Sequence, residues 1–355
     1  MEAKSRVWEL MYGFANSMTL RCALQLGLPD LVHKNGGPMT LTQIVNSLPI
    51  RGSPDPHRVY RIMRFLVQNN LFTCTKDDGS GELKYGLTAE SELLVKDNEK
   101  SLAMYALLVL CPAQITAWQH LIDGLDSSTY TWMELHKMTW QESAVKDPQL
   151  LKLYNQSMTG YSSHVVEALV SGCARENVFD NSVHSILDLG GNTGIVAKAI
   201  VDAFPDIKCT VMDLPEVIAG PHVDHPCIVY MAGDVFSFVP KADVIFMKSF
   251  LHGYSDKECL KVLKKCKEAI PPEIGKVVLV EIAIDVNGFS KYSTAKLCMD
   301  MEMMIVGGKE RNQEDWKDIL DKAGLLVSIK FISIDAVESI IEAPPLSLNL
   351  RLPFK

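Results

Sequence analysis

The sequence predicts an α/β protein of two domains: a helical, winged-helix-like unit over 1–105, then a doubly wound, mostly parallel sheet over 106–355. Three observations predict it. The chain has 355 residues, more than the roughly 100–200 usual for one domain. The first ninety residues run helix, turn, helix, hairpin. From Ser185 onward, short apolar runs alternate with helical stretches, which is the pattern of a parallel sheet covered on both faces.

In Lys4–Val32, Val7, Leu10, Met11, Phe14 and Met18 recur at the spacing of one apolar helix stripe, which Gly36-Gly37-Pro38 ends. A short helix over Leu41–Leu48 precedes the turn Arg51–Pro56, and a second helix over Pro56–Asn70 buries Val59, Ile62, Met63 and Leu66. Leu71–Cys74 and Leu83–Leu87 read as strands joined by the turn-forming loop Lys76–Gly81. Leu107–Gly172 is helical, with an amphipathic segment over Asp147–Val170. Strands are expected at Ile186–Leu189, Cys209–Met212, Ala242–Met247 and Val277–Ile282, and helices at Ile195–Phe204 and Asp256–Ala269. Pro344–Lys355 is rich in Pro and Leu and has no periodicity that assigns it.

Composition narrows the function classes. The net charge is −8, which disfavours a non-specific binder of nucleic acid, since such affinity rests on basic neutralisation of phosphates. Residues 1–100 carry twelve Lys/Arg against eleven Asp/Glu. Arg58, Arg61 and Arg64 lie on the helix in the recognition position, yet they fit a solvated face or a subunit interface better than a DNA contact. Nine scattered cysteines without a CxxC pair point to reduced thiols in a cytoplasmic protein. The N-terminus lacks the pattern of a signal peptide, and no run of 18 apolar residues suggests a membrane span.

The run Ser185–Gly194 ends a strand and opens a helix. Its glycines permit a sharp turn and close backbone approach to a ligand at the positive end of the helix. It lacks the GxGxxG of a dinucleotide loop. It has the spacing Asp188-x-Gly190-x-Asn192-x-Gly194, that of an S-adenosylmethionine loop with Asn at the middle glycine, and Asn tolerates positive φ. Asp213, nineteen residues beyond Gly194 at the end of the next strand, is placed to accept from ribose hydroxyls, and Asp234 from the adenine amine. A lone glycine pair is as readily a bare turn; strand, loop, helix, Asp213 and Asp234 in order point to a cofactor.

His252 follows the Ala242–Met247 strand, outside a carboxyl end where ligands of doubly wound sheets sit. An imidazole there can accept a hydroxyl proton. Glu281 ends the next strand and Glu310 lies in Gly307-Gly-Lys-Glu-Arg311; either carboxylate could orient the ring. Met299, Met301, Met303 and Met304 read as core packing or as a pliable wall for a flat substrate. The other histidines read as structural, and the acidic residues form no recognisable metal cluster.

Leu187–Gly194, Phe204–Glu216, Gly233–Phe236, Leu251-His252, Cys266–Ile270 and Gly307–Arg311 together resemble the plant S-adenosylmethionine-dependent O-methyltransferases of phenolics, flavonoids and alkaloids. Ala242–Ser249, Glu314–Trp316 and Ser339–Ala343 look most like the branch acting on benzylisoquinoline alkaloids. The resemblance spans nearly the whole chain. It implies a Rossmann-like catalytic domain, an N-terminal domain that forms a homodimer, and a small aromatic hydroxylated substrate. It implies His252 as general base flanked by Glu281 and Glu310, and no metal. Cofactor contacts carry over to Gly190, Asp213, Asp234, Val235 and Lys248, and Met158 and Met303 match positions that border the acceptor ring. Three departures stand out. The family commonly has Gly at Asn192, which bears on cofactor affinity, Trp at Ser249, and Asp-Trp at Gly253-Tyr254, which bears on acceptor choice. Two other readings are compatible with the same residues: a methyltransferase-like subunit that needs a partner, and a winged-helix regulator that senses a ligand.

Overall fold

Residues 276–281 are buried at every position, which explains their unbroken Val-Val-Leu-Val run: a central parallel strand has no solvent face. This strand is one of seven in the main sheet of the computed structural model, which describes residues 2–77, 79, 81–125, 129–285, 291–325 and 328–345. The strands are β1 (Ser185–Leu189), β2 (Lys208–Asp213), β3 (Ile228–Ala232), β4 (Val244–Lys248), β5 (Lys276–Glu281), β6 (Lys330–Ser333) and β7 (Ser339–Ala343). Their spatial order is β3-β2-β1-β4-β5-β7-β6. β1 to β5 pair in parallel, and β7 runs antiparallel to both β5 and β6. The order reverses between β1 and β4, so the crevice at their carboxyl ends is where such a sheet receives a ligand.

Each face carries its own core. On one, helices Asp256–Ala269 and Gln313–Ala323 bury Cys259, Val262, Leu263, Cys266, Trp316 and Leu320. Both helices begin with a capping box, Ser255 with Glu258 and Asn312 with Asp315, which satisfies amide groups the first turn leaves free. On the other face lie helix Ile195–Ala203, through Val196, Ala197, Ile200 and Val201, and the residues Val165, Leu169 and Cys173. At the buried lysine of β5, Nζ of Lys276 donates to Glu342 at 2.9 Å and to the Val178 carbonyl at 2.8 Å.

The chain divides into two compact units, Met1–Ile115 with Gln156–His164, and Thr116–Asn155 with Val165–Lys355. The division falls ten residues beyond the expected 105/106. It also gives a piece of the long helix Pro148–Arg175 to the first unit. The expected winged-helix order is present there. Helices Leu41–Ser47 and Pro56–Gln68 precede a hairpin of Phe72–Lys76 and Leu83–Leu87, to which Met39–Thr40 adds a short third strand. Val59, Met63 and Leu66 are buried in this core, and Ile62 packs at its margin. Arg58, Arg61 and Arg64 are exposed; Arg58 pairs with Asp55 at 3.4 Å.

The N-terminal stretch departs from expectation. It forms three helices, Glu2–Met11, Gly13–Leu26 and Leu28–Lys34. The last break is at Gly27, whose φ of 66° ends one helix and caps the next. Its apolar stripe faces outward, with Val7, Leu10, Met11 and Phe14 all more than half exposed. Met301 and Met304 are also exposed, so they are not core residues. All nine cysteines are free, four of them buried. Among the described residues no helix is long and apolar enough to cross a membrane. Residues 346–355 of the unassigned C-terminal segment lie outside those described.

Candidate active site

The glycine loop turns out of β1 at the switch point. Gly190 (φ +72°), Asn192 (φ +52°) and Gly194 (φ +80°) all take left-handed backbone. Side chains at two of these glycines would collide with their neighbours: a Cβ at Gly190 would strike the Phe250 ring, and one at Gly194 the Tyr230 hydroxyl. Tyr230 fixes the far side of the loop by donating to the carbonyls of Val223 at 2.8 Å and Thr193 at 3.2 Å. Gly194 then caps helix Ile195–Ala203 with no side chain engaged, which leaves that helix's first amides available to an anionic group.

Asp213, at the end of β2, braces the loop. Its Oδ2 accepts from the Asn192 amide at 3.0 Å and its Oδ1 from the Leu214 amide at 2.8 Å. Burial pushes its carboxyl above the usual range, against those two hydrogen bonds. A carboxylate offers about four acceptor sites, so two remain for a diol. Asp188, beneath the loop, is pushed up to about 7 by burial and then by the charge of Asp213. The glycine cradle, the free helix terminus and the buried acid fit a ligand that combines a carboxylate, a ribose and a cation.

The other expected cofactor residues are placed as follows. Asp234 is exposed just past β3, with Oδ1 accepting from the Phe236 amide at 2.9 Å and Oδ2 from the Ser237 hydroxyl at 3.1 Å. Val235 packs into the core. Lys248 ends β4 with its ammonium buried, 3.5 Å from Glu338 and 3.3 Å from the Ser249 hydroxyl.

The switch-point strands also position the acid–base group. The chain leaves β4 through Ser249 (φ +48°) into a single turn of 3-10 helix, Leu251–Gly253, which carries His252. Glu281 ends β5, and its Oε1 accepts from the amides of Phe250 at 2.9 Å and Leu251 at 2.7 Å. Glu281 therefore holds the turn, and Glu310 holds the ring: its Oε1 lies 2.7 Å from His252 Nδ1. That bond fixes the proton on Nδ1 and leaves Nε2 as the atom able to accept one. The second oxygens of both glutamates are buried without a hydrogen-bond partner among the described residues. Burial pushes the His252 imidazole down, but the charge and hydrogen bond of Glu310, joined by Glu281, prevail over it and raise the group to about 9. Burial likewise raises Glu281.

Contrary to the expectation that no acidic cluster here is suited to a metal, His252, Glu281 and Glu310 each offer one ligand atom within 4.8 Å of the others.

Sequence reasoning missed the residues that hold this turn in place. Arg311 is fully buried and donates to the carbonyls of Leu251 at 3.2 Å and Tyr254 at 2.9 Å and to Asp256 at 2.7 Å. Its place beside Glu310 in the chain was the only available signal. Asp300 accepts from the Glu310 amide at 2.9 Å, and neither Asp300 nor Tyr230 had any local signal. Beside His252, Tyr254 packs against Phe236 and Phe250 with ring centroids 5.3 Å apart. A side chain at Gly253 would meet only Gln141, at 3.8 Å, so that flank of the turn is open. Met303 is half-buried on helix Ser293–Val306 of the second unit, whereas Met158 belongs to the first.

Comparison with known proteins gives a consistent result. The family model of the O-methyltransferase domain matches residues 118–326, and that of the O-methyltransferase dimerisation domain matches residues 8–97. Columbamine O-methyltransferase of Coptis japonica is 44% identical over 97% of this chain and 96% of its own length. (RS)-norcoclaurine 6-O-methyltransferase of the same organism is 39% identical over 97% and 98%. Human N-acetylserotonin methyltransferase, solved in complex with S-adenosylmethionine, shares the fold with a TM-score of 0.85, at 21% identity over 97% of this chain and 98% of that one.

Proposed function

The chain belongs to the O-methyltransferase family, and from that premise we propose that it methylates a phenolic hydroxyl of a benzylisoquinoline-type alkaloid with His252 as general base. The observation that carries this reading is the Glu310–His252 pair at the carboxyl end of β4, across the switch point from the Asp213-braced loop. Two relatives named for alkaloid phenols, at 44% and 39% identity over nearly the full chain, support the substrate class.

S-adenosylmethionine, the methyl donor of this enzyme class, supplies when bound a methyl group on a positively charged sulfur. The chain supplies the rest. Gly190, the helix terminus at Gly194, Asp213 and Asp234 hold the donor, and Val235 and Lys248 lie along the same strand ends. A phenol with pKa near 10 is mostly neutral at pH 7. Nε2 of His252 would take the proton of the phenolic hydroxyl, and the bound donor would supply the methyl group that the oxygen receives. Glu310 stabilises the imidazolium that results, and Glu281 keeps the turn from moving as charge develops. Holding the acceptor hydroxyl beside the bound donor would add a further large factor, because the encounter becomes effectively unimolecular. Met303 is proposed to border the aromatic ring. No step in this scheme uses a metal.

The purified protein, incubated with S-adenosylmethionine and a panel of benzylisoquinolines, flavonoids and catechols, is expected to release S-adenosylhomocysteine, fastest with a phenolic benzylisoquinoline. Faster release with a flavonoid would overturn the substrate class. Binding of the cofactor without release from any acceptor would favour a partner-dependent subunit.

We also propose that the chain works as a homodimer. Val7, Trp8, Leu10, Met11 and Phe14 form an uncovered apolar stripe at the start of the first unit, which contains the dimerisation match. Exposed apolar patches of this kind mark interaction surfaces. Light scattering is expected to give twice the chain mass, and Trp8→Glu with Met11→Glu to give the single chain; a monomeric wild type would refute the proposal.

A further inference from the structure

At Asn192, a side chain occupies a loop position where the family resemblance expects glycine, and the residue is not idle there. Its φ of +52° shows that the turn is kept, and Asn adopts this region more readily than other side chains. Its amide N–H donates to Asp213 at 3.0 Å. Its side-chain Nδ2 donates to Oδ1 of Asn155, on the long helix, at 3.3 Å. That bond aims the other end of the carboxamide, and Oδ1 is left buried with no hydrogen-bond partner among the described residues. A carboxamide oxygen removed from water without a donor is costly, and an orphan of this kind beside a ligand loop points to a donor on the ligand.

We propose that Asn192 is a cofactor-binding residue whose Oδ1 accepts a hydrogen bond from the α-ammonium of S-adenosylmethionine, with Asn155 holding the carboxamide in that orientation. The assignment follows by elimination and rests on the reading of this loop as the cofactor site. The cofactor has three kinds of donor. The ribose hydroxyls are matched by the two free acceptor sites of Asp213, and the adenine amine by Asp234 at the end of the next strand. The ammonium is the donor left over; of the two buried acceptors here without a partner among the described residues, Oδ2 of Asp188 lies beneath the loop against Gly191, whereas Oδ1 of Asn192 is carried by the loop itself. The Asp213 side chain, bonded to the loop through the Asn192 amide, places an acidic group beside this position. Asparagine here thus replaces the freedom of glycine with a contact.

Calorimetry with two ligands separates this role from a conformational one. S-adenosylhomocysteine carries the amino-acid end, and 5′-methylthioadenosine lacks it while keeping ribose and adenine. Asn192→Gly preserves the left-handed backbone and removes only the carboxamide. It is expected to weaken S-adenosylhomocysteine about 10- to 150-fold, the usual range for one hydrogen bond to a charged group, and to leave 5′-methylthioadenosine unchanged. Asn192→Asp, which still accepts, is expected to bind S-adenosylhomocysteine within about threefold of wild type. Equal binding by Asn192→Gly, or equal weakening of both ligands, would overturn the proposal. So would a larger loss in Asn192→Asp, which would mean that the side chain donates to the ligand's carboxylate. Failure of the wild type to bind S-adenosylhomocysteine would instead refute the loop as the cofactor site.

Discussion

His252→Ala is expected to lower kcat for methyl transfer by about 10²–10⁴, the usual contribution of a positioned general base, while cofactor affinity stays within about threefold. The separation follows from placement: the ring is held by Glu310 at the end of β4, whereas the loop is held by Asp213 at the end of β2. The variant's pH profile adds an independent reading. In the wild type the imidazole is raised to about 9, so most molecules carry a protonated ring at pH 7, and the basic form appears only as pH rises toward 9. The kcat/KM for cofactor, which reports the free enzyme, is expected to climb on an alkaline limb centred near 9. Glu310→Gln removes the charge that raises the group, so its limb moves to lower pH; His252→Ala has no such limb. The stability linkage has a matching sign. A raised imidazole contributes stability in full below its ordinary value of 6.5, and this is lost as pH rises through about 9. Normal turnover by His252→Ala, or an unchanged limb in Glu310→Gln, would refute the assigned base.

Much of the frame was legible because it depends on local periodicity. β1, β2, β4 and β5 are apolar runs bounded by polar turns, and each was located to within two residues. β3, β6 and β7 were missed for a physical reason. Ile228–Ala232 and Lys330–Ser333 are the sheet's two edge strands, and each carries exposed or half-buried positions that blur the apolar signal. Ser339–Ala343 is buried in the sheet through its antiparallel pairing with β5, a contact more than fifty residues away in the chain. The same distinction applies to the site. His252, Glu281 and Glu310 could be named because each lies at a strand end or in a glycine-flanked motif. What each does could not be. The turn takes Glu281 through its backbone and Glu310 through the ring, so two carboxylates that looked interchangeable in the chain have different tasks. Arg311 and Asp300 support them through contacts that depend entirely on the tertiary fold.

Asp213→Ala is expected to weaken S-adenosylhomocysteine binding at least 100-fold. Hydrogen bonds to a charged group contribute about 1.5–3 kcal/mol each, and the ligand's diol would lose two of them. The loop would also lose its brace at the Asn192 amide, so the cradle that remains is less ordered. The unliganded protein should suffer much less. Burial raises the Asp213 carboxyl above its ordinary value. A group whose folded value is raised binds its proton more tightly when folded, and so contributes less and less to stability as pH rises through that window. The charged form of this carboxyl is therefore a strain on the fold, offset in part by the amides of Asn192 and Leu214. Its removal is expected to leave the melting temperature of the free protein about the same, while the upward shift produced by ligand in the wild type is lost. An acid held in the protein at a cost to its stability is the mark of a binding residue, and thermal melts with and without S-adenosylhomocysteine read both quantities at once. Undiminished ligand stabilisation in Asp213→Ala would mean that Asp213 shapes the loop without touching the cofactor.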